Sequence, residues 1–257
     1  MNYQVKSFIK HWFVAHARGG YGIHSPFVFR FATRVLTEEH SYYCYDPIEK
    51  ARRNLMRDRR IISVTDYGTG PSKQRRVCDI AKKSLKSARQ SQLLFRTAVA
   101  YKCHNILELG TSLGITTLYL SQTDTAAKIT TLEGCPNTAN IALETLQKAG
   151  VDNVKIVTGN IDETLACALS EYSTLDLVFF DANHRKEPTL RYFEMCMKKA
   201  GPHTVFVFDD IYHSLEMTEA WEAIRADKRV RVTVDIFYMG FVFFNPDLQK
   251  ESYKIRF

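Results

Sequence analysis

The sequence predicts an α/β fold built on a largely parallel sheet, and three observations carry that prediction. Short apolar runs with the length of buried strands recur at residues 105–109, 128–132, 154–157, 175–180 and 204–208. Helical segments separate them, as at residues 137–149, which end at Gly150. The first run passes into Gly110-Thr-Ser-Leu-Gly114 and then into a helix from Ile115, the strand–turn–helix join of a βα unit.

That join places backbone N–H groups and a positive helix end at one point, suited to a polar or anionic ligand. Gly110 and Gly114 are spaced G-x-x-x-G around Thr111 and Ser112. This is not the G-x-G-x-x-G of a dinucleotide site, which argues against an NAD-linked oxidoreductase. Glu108 precedes the first glycine by two positions, and Glu133 ends the next strand nineteen positions after Gly114. A carboxylate at a strand's C-terminal end is well placed to accept both hydroxyls of a ribose.

These residues resemble the class I S-adenosylmethionine-dependent methyltransferases, over roughly residues 89–244. The resemblance implies a Rossmann-like, seven-stranded, mostly parallel sheet with an antiparallel last strand. It also implies that Glu108, Gly110, Thr111, Ser112 and Gly114 face the methionine part of S-adenosylmethionine and that Glu133 holds the ribose. Asn160 and Ile161, after the third strand, occupy the family's adenine position, with Asp162 as a competitor.

The fourth strand delivers Asp181-Ala-Asn-His184 at its C-terminal end, where open α/β sheets bind ligands. The Asn/Asp-Pro-Pro-aromatic motif of exocyclic-nitrogen methylation is absent there, and no cysteine nucleophile for a pyrimidine carbon is at hand. What remains resembles the catechol and caffeoyl-coenzyme A O-methyltransferases. In those enzymes the counterpart of Asp181 contacts cofactor and metal, and an Asp-Asn or Asp-Asp pair after the fifth strand supplies two more metal ligands. Asp209 and Asp210 stand at that place. Asp181, Asp209 and Asp210 would form a hard oxygen site for Mg²⁺ or Mn²⁺. His184, where the family has lysine, is the expected base, since its unperturbed pKa lies near neutrality.

Charge divides the chain unevenly. Residues 1–90 carry 18 Lys and Arg against 7 Asp and Glu, and residues 91–257 carry 17 against 21. We expect residues 1–90 to form a helical N-terminal cap and residues 91–257 the cofactor-binding core. In the cap, a helix over residues 5–15 places Phe8, Ile9, Trp12 and Phe13 on one stripe as core or dimer contact. Ser25 and Pro26 open a second helix, with His24 a structural or site histidine, and Asp46 to Glu49 read as a capping box for a third. Residues 61–72 read as a turn or hairpin whose Asp66-x-Gly68-x-Gly70 only imitates the nucleotide turn, and residues 74–83 as a basic helix.

Six cysteines are scattered without a C-x-x-C pair, which fits buried spectators in a reducing cytoplasm. No apolar run is long enough to span a bilayer, so no membrane partner is expected. The expected function is O-methylation of a small hydroxylated acceptor, with a homodimer plausible from the aromatic first helix. An RNA methyltransferase tracking phosphates with residues 1–90 is the rival, less favoured because no RNA-binding aromatic signature accompanies the charge. A binding protein that keeps the cofactor fold without turnover is the third reading.

Overall fold

The computed structural model describes residues 2–66 and 70–257. In chain order these form α1 (Tyr3–Val14), α2 (Pro26–Phe31) running into a π turn (Ala32–Leu36), α3 (Tyr45–Leu55), β1 (Ile61–Asp66), β2 (Gly70–Arg76), α4 (Val77–Ser84) and α5 (Ala88–Ala100). Alternation then sets in with β3 (Asn105–Leu109), α6 (Ile115–Ser121), β4 (Lys128–Glu133), α7 (Pro136–Lys148), β5 (Val154–Thr158) and α8 (Ile161–Ser170). It continues through β6 (Leu175–Phe180), α9 (Lys186–Met197), β7 (Ala200–Asp209) and α10 (Leu215–Ala226), and closes with β8 (Val232–Asp235), β9 (Met239–Phe243) and β10 (Glu251–Lys254). Two compact units result, His40–Ser173 and Met1–Glu39 with Thr174–Phe257.

In the unit His40–Ser173, β4 lies between β3 and β5, and both pairings are parallel. The interiors of β3 and β4 are buried, and their polar members, Glu108, Thr130 and Thr131, are buried with them. Helix α5 opens on a reciprocal capping box between Ser87 and Gln90. Helix α3 does not open on the expected box, because Asp46 lies inside the first turn after the N-cap Cys44. Glu49 accepts instead from Arg52 Nε at 2.9 Å and from the Tyr119 hydroxyl at 2.9 Å, tying α3 to α6. Tyr45, Phe95 and Tyr119 pack edge to face beneath it.

The first ninety residues are not wholly helical. Strands β1 and β2 form an antiparallel hairpin with Ile61 opposite Arg76 and Val64 opposite Lys73. Gln74 to Arg76 are therefore strand, and the basic helix begins only at Val77. Helical periodicity over 74–83 is outweighed by the ladder hydrogen bonds that β1 offers. The imitation motif lies in part at Tyr67, Gly68 and Thr69, outside the described residues.

In the other unit the strand order is β10-β8-β9-β7-β6. Only β9 is antiparallel, to both β7 and β8. The tail contributes β10, parallel to β8 with Glu251 opposite Val232, so five strands here and three in the other unit exceed the seven expected by one. The antiparallel strand is also next to last, not last. Met217, Ala220, Trp221 and Ile224 of α10 are buried as their spacing predicts. Gly240 of β9 lies under Trp221, where a Cβ would meet the indole at 2.5 Å.

The aromatic stripe of α1 is not core. His11 alone is buried on that helix, while Ile9, Trp12 and Phe13 are 42%, 46% and 79% exposed. His24 is exposed, and Ser25 precedes α2 without a side-chain capping bond. Cys167 is exposed, so only five of the six cysteines are buried. Among the described residues no helix is long and apolar enough to cross a membrane.

Candidate active site

The glycine turn after β3 is held open by its backbone. Gly110, Ser112 and Gly114 have φ of 103°, 50° and 82°. A Cβ on Gly114 would lie 3.2 Å from the Ala142 backbone of α7, so glycine is required there for both conformation and space. The N–H groups of Gly110 and Thr111 donate to the Leu132 carbonyl at 2.9 and 3.2 Å. This clamps the turn against the end of β4.

Glu133, the last residue of β4, accepts from the Ser112 N–H at 2.8 Å and from the Cys135 N–H at 3.0 Å. Two backbone donors thus fix the orientation of this carboxylate. Glu108 lies fully buried on β3, and its Oε2 accepts from Thr117 at 2.5 Å and from Thr131 at 2.7 Å. Its Oε1 has no hydrogen-bond partner among the described residues. Burial pushes the Glu108 carboxyl up to about 7, against the two threonine hydroxyls that favour the charged form. Thr111 turns inward and shares a 2.6 Å hydroxyl contact with Thr131.

At the end of β5, Gly159 has φ 139° and donates to the Glu133 carbonyl at 2.9 Å. Asn160 then caps α8 by accepting from the Asp162 N–H at 3.1 Å. Ile161 is buried behind it. Glu108, Gly110, Thr111, Ser112, Gly114 and Glu133 therefore form one connected cradle on β3 and β4, and Asn160 joins it through the backbone of Gly159.

A second group of side chains lies in the other unit. Asp181 follows β6 and Asp209 ends β7, and those two strands pair in parallel with Phe180 opposite Phe208. Asn183 and His184 adopt φ of 64° and 28°, which turns His184 Nε2 back to 3.6 Å from Asp181 Oδ1. One ligand atom each from Asp181, His184 and Asp209 falls within 4.8 Å of the others. Asp209 is buried, and Asp181 and His184 are partly buried.

Asp210 is not part of this cluster. Its φ of 52° and its N–H bond to the Tyr238 carbonyl at 2.8 Å turn the side chain away from Asp209, toward His213, with Oδ2 3.9 Å from Nδ1. The expected third carboxylate is replaced by the His184 imidazole. His213, which sequence reasoning missed, lies beside it with ring centroids 5.7 Å apart. The repeated Asp-x-x-His spacing, Asp181 to His184 and Asp210 to His213, was the available signal. Ser214, and not the acidic pair, caps α10 by accepting from the Met217 N–H.

Residues 107–211 match the family described as a methyltransferase domain. A catechol O-methyltransferase of Mycobacterium tuberculosis is 34% identical over 127 residues, 49% of this chain and 56% of the relative. Over that stretch the chain is similar to methyltransferases. A second catechol O-methyltransferase, from Niastella koreensis, is 30% identical over 128 residues, 49% of this chain and 57% of that one. The chain thus spans little more than half the length of the curated relatives it matches. A methyltransferase from Podospora anserina, solved with S-adenosylhomocysteine bound, superposes with a TM-score of 0.61 at 18% identity, over 86% of this chain and 97% of that one. That likeness is one of fold.

Proposed function

We propose that the chain transfers the methyl group of S-adenosylmethionine to a hydroxyl of a small acceptor. The observation that carries this reading is the cradle in which Glu133, bound by two backbone N–H groups, ends the strand beside the Gly110–Gly114 turn. A carboxylate held in place at that point suits two vicinal ribose hydroxyls. The fold neighbour carrying S-adenosylhomocysteine and the relatives named for catechol O-methylation support the cofactor and the reaction class.

In this reading the acceptor oxygen attacks the sulfonium methyl, the carbon–sulfur bond breaks, and S-adenosylhomocysteine leaves with the bonding pair. The hydroxyl proton passes to His184 Nε2, and Asp181 at 3.6 Å stabilises the imidazolium that forms. Glu108 receives the cationic methionine end, and Asn160 and Ile161 the adenine. Much of the rate then lies in positioning, because in-line displacement needs the acceptor oxygen aligned with the methyl carbon.

A second reading rests on the Asp181, His184 and Asp209 cluster, which suits a divalent ion. Two carboxylates with one imidazole match Mn²⁺ better than Mg²⁺, which prefers oxygen donors alone. Such an ion would lower the pKa of an acceptor hydroxyl. His184 cannot be ligand and base at once, so the two readings separate under chelation. The test is S-adenosylhomocysteine formation from S-adenosylmethionine and a catechol, with and without EDTA. Base catalysis by His184 predicts turnover that survives EDTA and falls about 10²–10⁴-fold in His184→Ala. Loss of turnover with EDTA, restored by Mn²⁺, selects the metal reading. A folded protein that binds no S-adenosylmethionine removes both.

A further inference from the structure

Within the unit His40–Ser173 a second concave site shares no residue with the glycine turn. The loop that follows α3, the end of β2 and the first turns of α4 line a cavity of about 420 Å³. Arg57, Arg59, Arg76 and Lys82 line it, with Asp79 as its one carboxylate. None of the four cations makes an ion pair among the described residues. The contrast with Arg60, one position away, is direct, since that guanidinium is paired to both Asp58 and Glu144.

Chain topology, not chance crowding on one helix, collects these cations. Hairpin pairing sets Ile61 opposite Arg76, which brings the end of β2 back beside Arg59. The Val77 N–H bond to the Arg60 carbonyl at 2.9 Å and the Cys78 N–H bond to the Asp58 carbonyl at 2.8 Å fasten α4 to the same corner. Lys82 follows Cys78 by one turn of α4 and so shares its face. Four positive groups against one carboxylate leave a surplus of three charges in one concavity. Like charges so placed repel one another at a cost that a bound anion relieves.

We propose that this cavity binds a compact oligophosphate group, as carried by a nucleoside triphosphate or by inorganic tripolyphosphate. Three arginines offer planar forks that pair bidentately with phosphate oxygens, and a triphosphate carries three to four negative charges, matching the surplus. Convergence of three segments on one concavity suits a compact ligand. A nucleic-acid backbone needs a track, and base-stacking aromatics are not among the residues that line this cavity.

Calorimetric titration of the full-length protein with sodium tripolyphosphate, and separately with ATP, tests the site. Binding of tripolyphosphate should weaken about tenfold or more in each of Arg59→Ala and Arg76→Ala, the loss expected for charge-assisted bonds. Lys198→Ala, which removes one exposed charge elsewhere, should leave it unchanged. ATP binding as tightly as tripolyphosphate, or more tightly, assigns the site to nucleotides, and tripolyphosphate alone assigns it to the inorganic ion. Three results overturn the proposal, namely no binding by protein with an unaltered circular dichroism spectrum, equal weakening by Lys198→Ala, or a single-stranded RNA 12-mer binding more tightly than either phosphate.

Discussion

His11 of α1 and Asp235 at the end of β8 form a buried pair, with Nε2 3.1 Å from Oδ1. The Tyr212 hydroxyl donates to Oδ2 at 2.6 Å, and the Phe237 N–H donates to Oδ1 at 2.9 Å. Lys254 of β10 donates to the Tyr212 oxygen at 2.9 Å. One carboxylate thus fastens the first helix, the turn after β7 and the last strand. Burial raises the Asp235 pKa, but His11, Tyr212 and the Phe237 N–H together hold it below the usual carboxylate value.

Replacing one partner leaves the other buried without its hydrogen-bond partner, so His11→Ala and Asp235→Asn should each cost about 1–3 kcal/mol at pH 7. The lowered folded pKa fixes the sign of the pH dependence. Asp235 contributes stability above its unfolded value of about 3.9, and that contribution is lost as pH falls through the folded value. Urea unfolding at pH 7 and pH 3 should show the gap between wild type and Asp235→Asn closing at the lower pH. A gap that stays constant would refute the assignment.

The glycine turn makes a prediction about backbone space. Gly114→Ala sets a Cβ 3.2 Å from the Ala142 backbone at a φ of 82°, which a side chain adopts at a cost of about 1–3 kcal/mol. Glu133→Ala instead leaves the Ser112 and Cys135 N–H groups without their acceptor and should weaken S-adenosylmethionine binding by about 1–3 kcal/mol. Calorimetry on both variants, with thermal unfolding alongside, separates the two effects. A Glu133→Ala protein that binds the cofactor as tightly as wild type would contradict the ribose role.

What the sequence made legible was local. Strands β3 to β7 could be read because a doubly covered strand is a short apolar run, and the G-x-x-x-G turn because its glycines mark positive φ. The hairpin over 61–76 was read only in part, since Gln74 to Arg76 carry no strand signal of their own and take their conformation from β1. Tail strand β10 was missed for the same reason, as its four residues pair with residues nineteen positions earlier. Asp210 was grouped with Asp209 because adjacency in sequence says nothing about a φ of 52° between strand and loop. The approach of His184 to Asp181 and Asp209 depends on two successive residues of positive φ, which no composition or spacing announced.

Glu108 predicts a titration near neutrality. Its carboxyl is fully buried and pushed up to about 7, above an unfolded value of about 4.3. A raised folded pKa contributes stability present below the unfolded value and lost as pH rises through about 7, a change of roughly 3 kcal/mol. Glu108→Gln, which keeps an acceptor for Thr117 and Thr131, should remove this dependence, so the variant gains on wild type between pH 5 and pH 8. Parallel stability profiles over that range would count against it. A cationic cofactor beside Glu108 lowers its pKa, so binding near pH 7 should also release a proton, visible as a buffer-dependent binding enthalpy.

The clearest division among the acidic residues is between Asp209 and its neighbour. Asp209 is buried at the end of β7 within the Asp181 and His184 group, while Asp210 turns toward His213. If the cluster takes a divalent ion, Mn²⁺ affinity measured by the electron paramagnetic resonance of the free ion should fall more than about tenfold in Asp181→Asn and Asp209→Asn, the loss of one charge-assisted ligand. Asp210→Asn should stay within about twofold of wild type, because its side chain lies outside the group. Equal losses at 209 and 210 would restore the three-carboxylate site that the sequence alone suggests. Absence of Mn²⁺ binding in the folded wild type would leave His184 to act as the base, oriented by Asp181 at 3.6 Å.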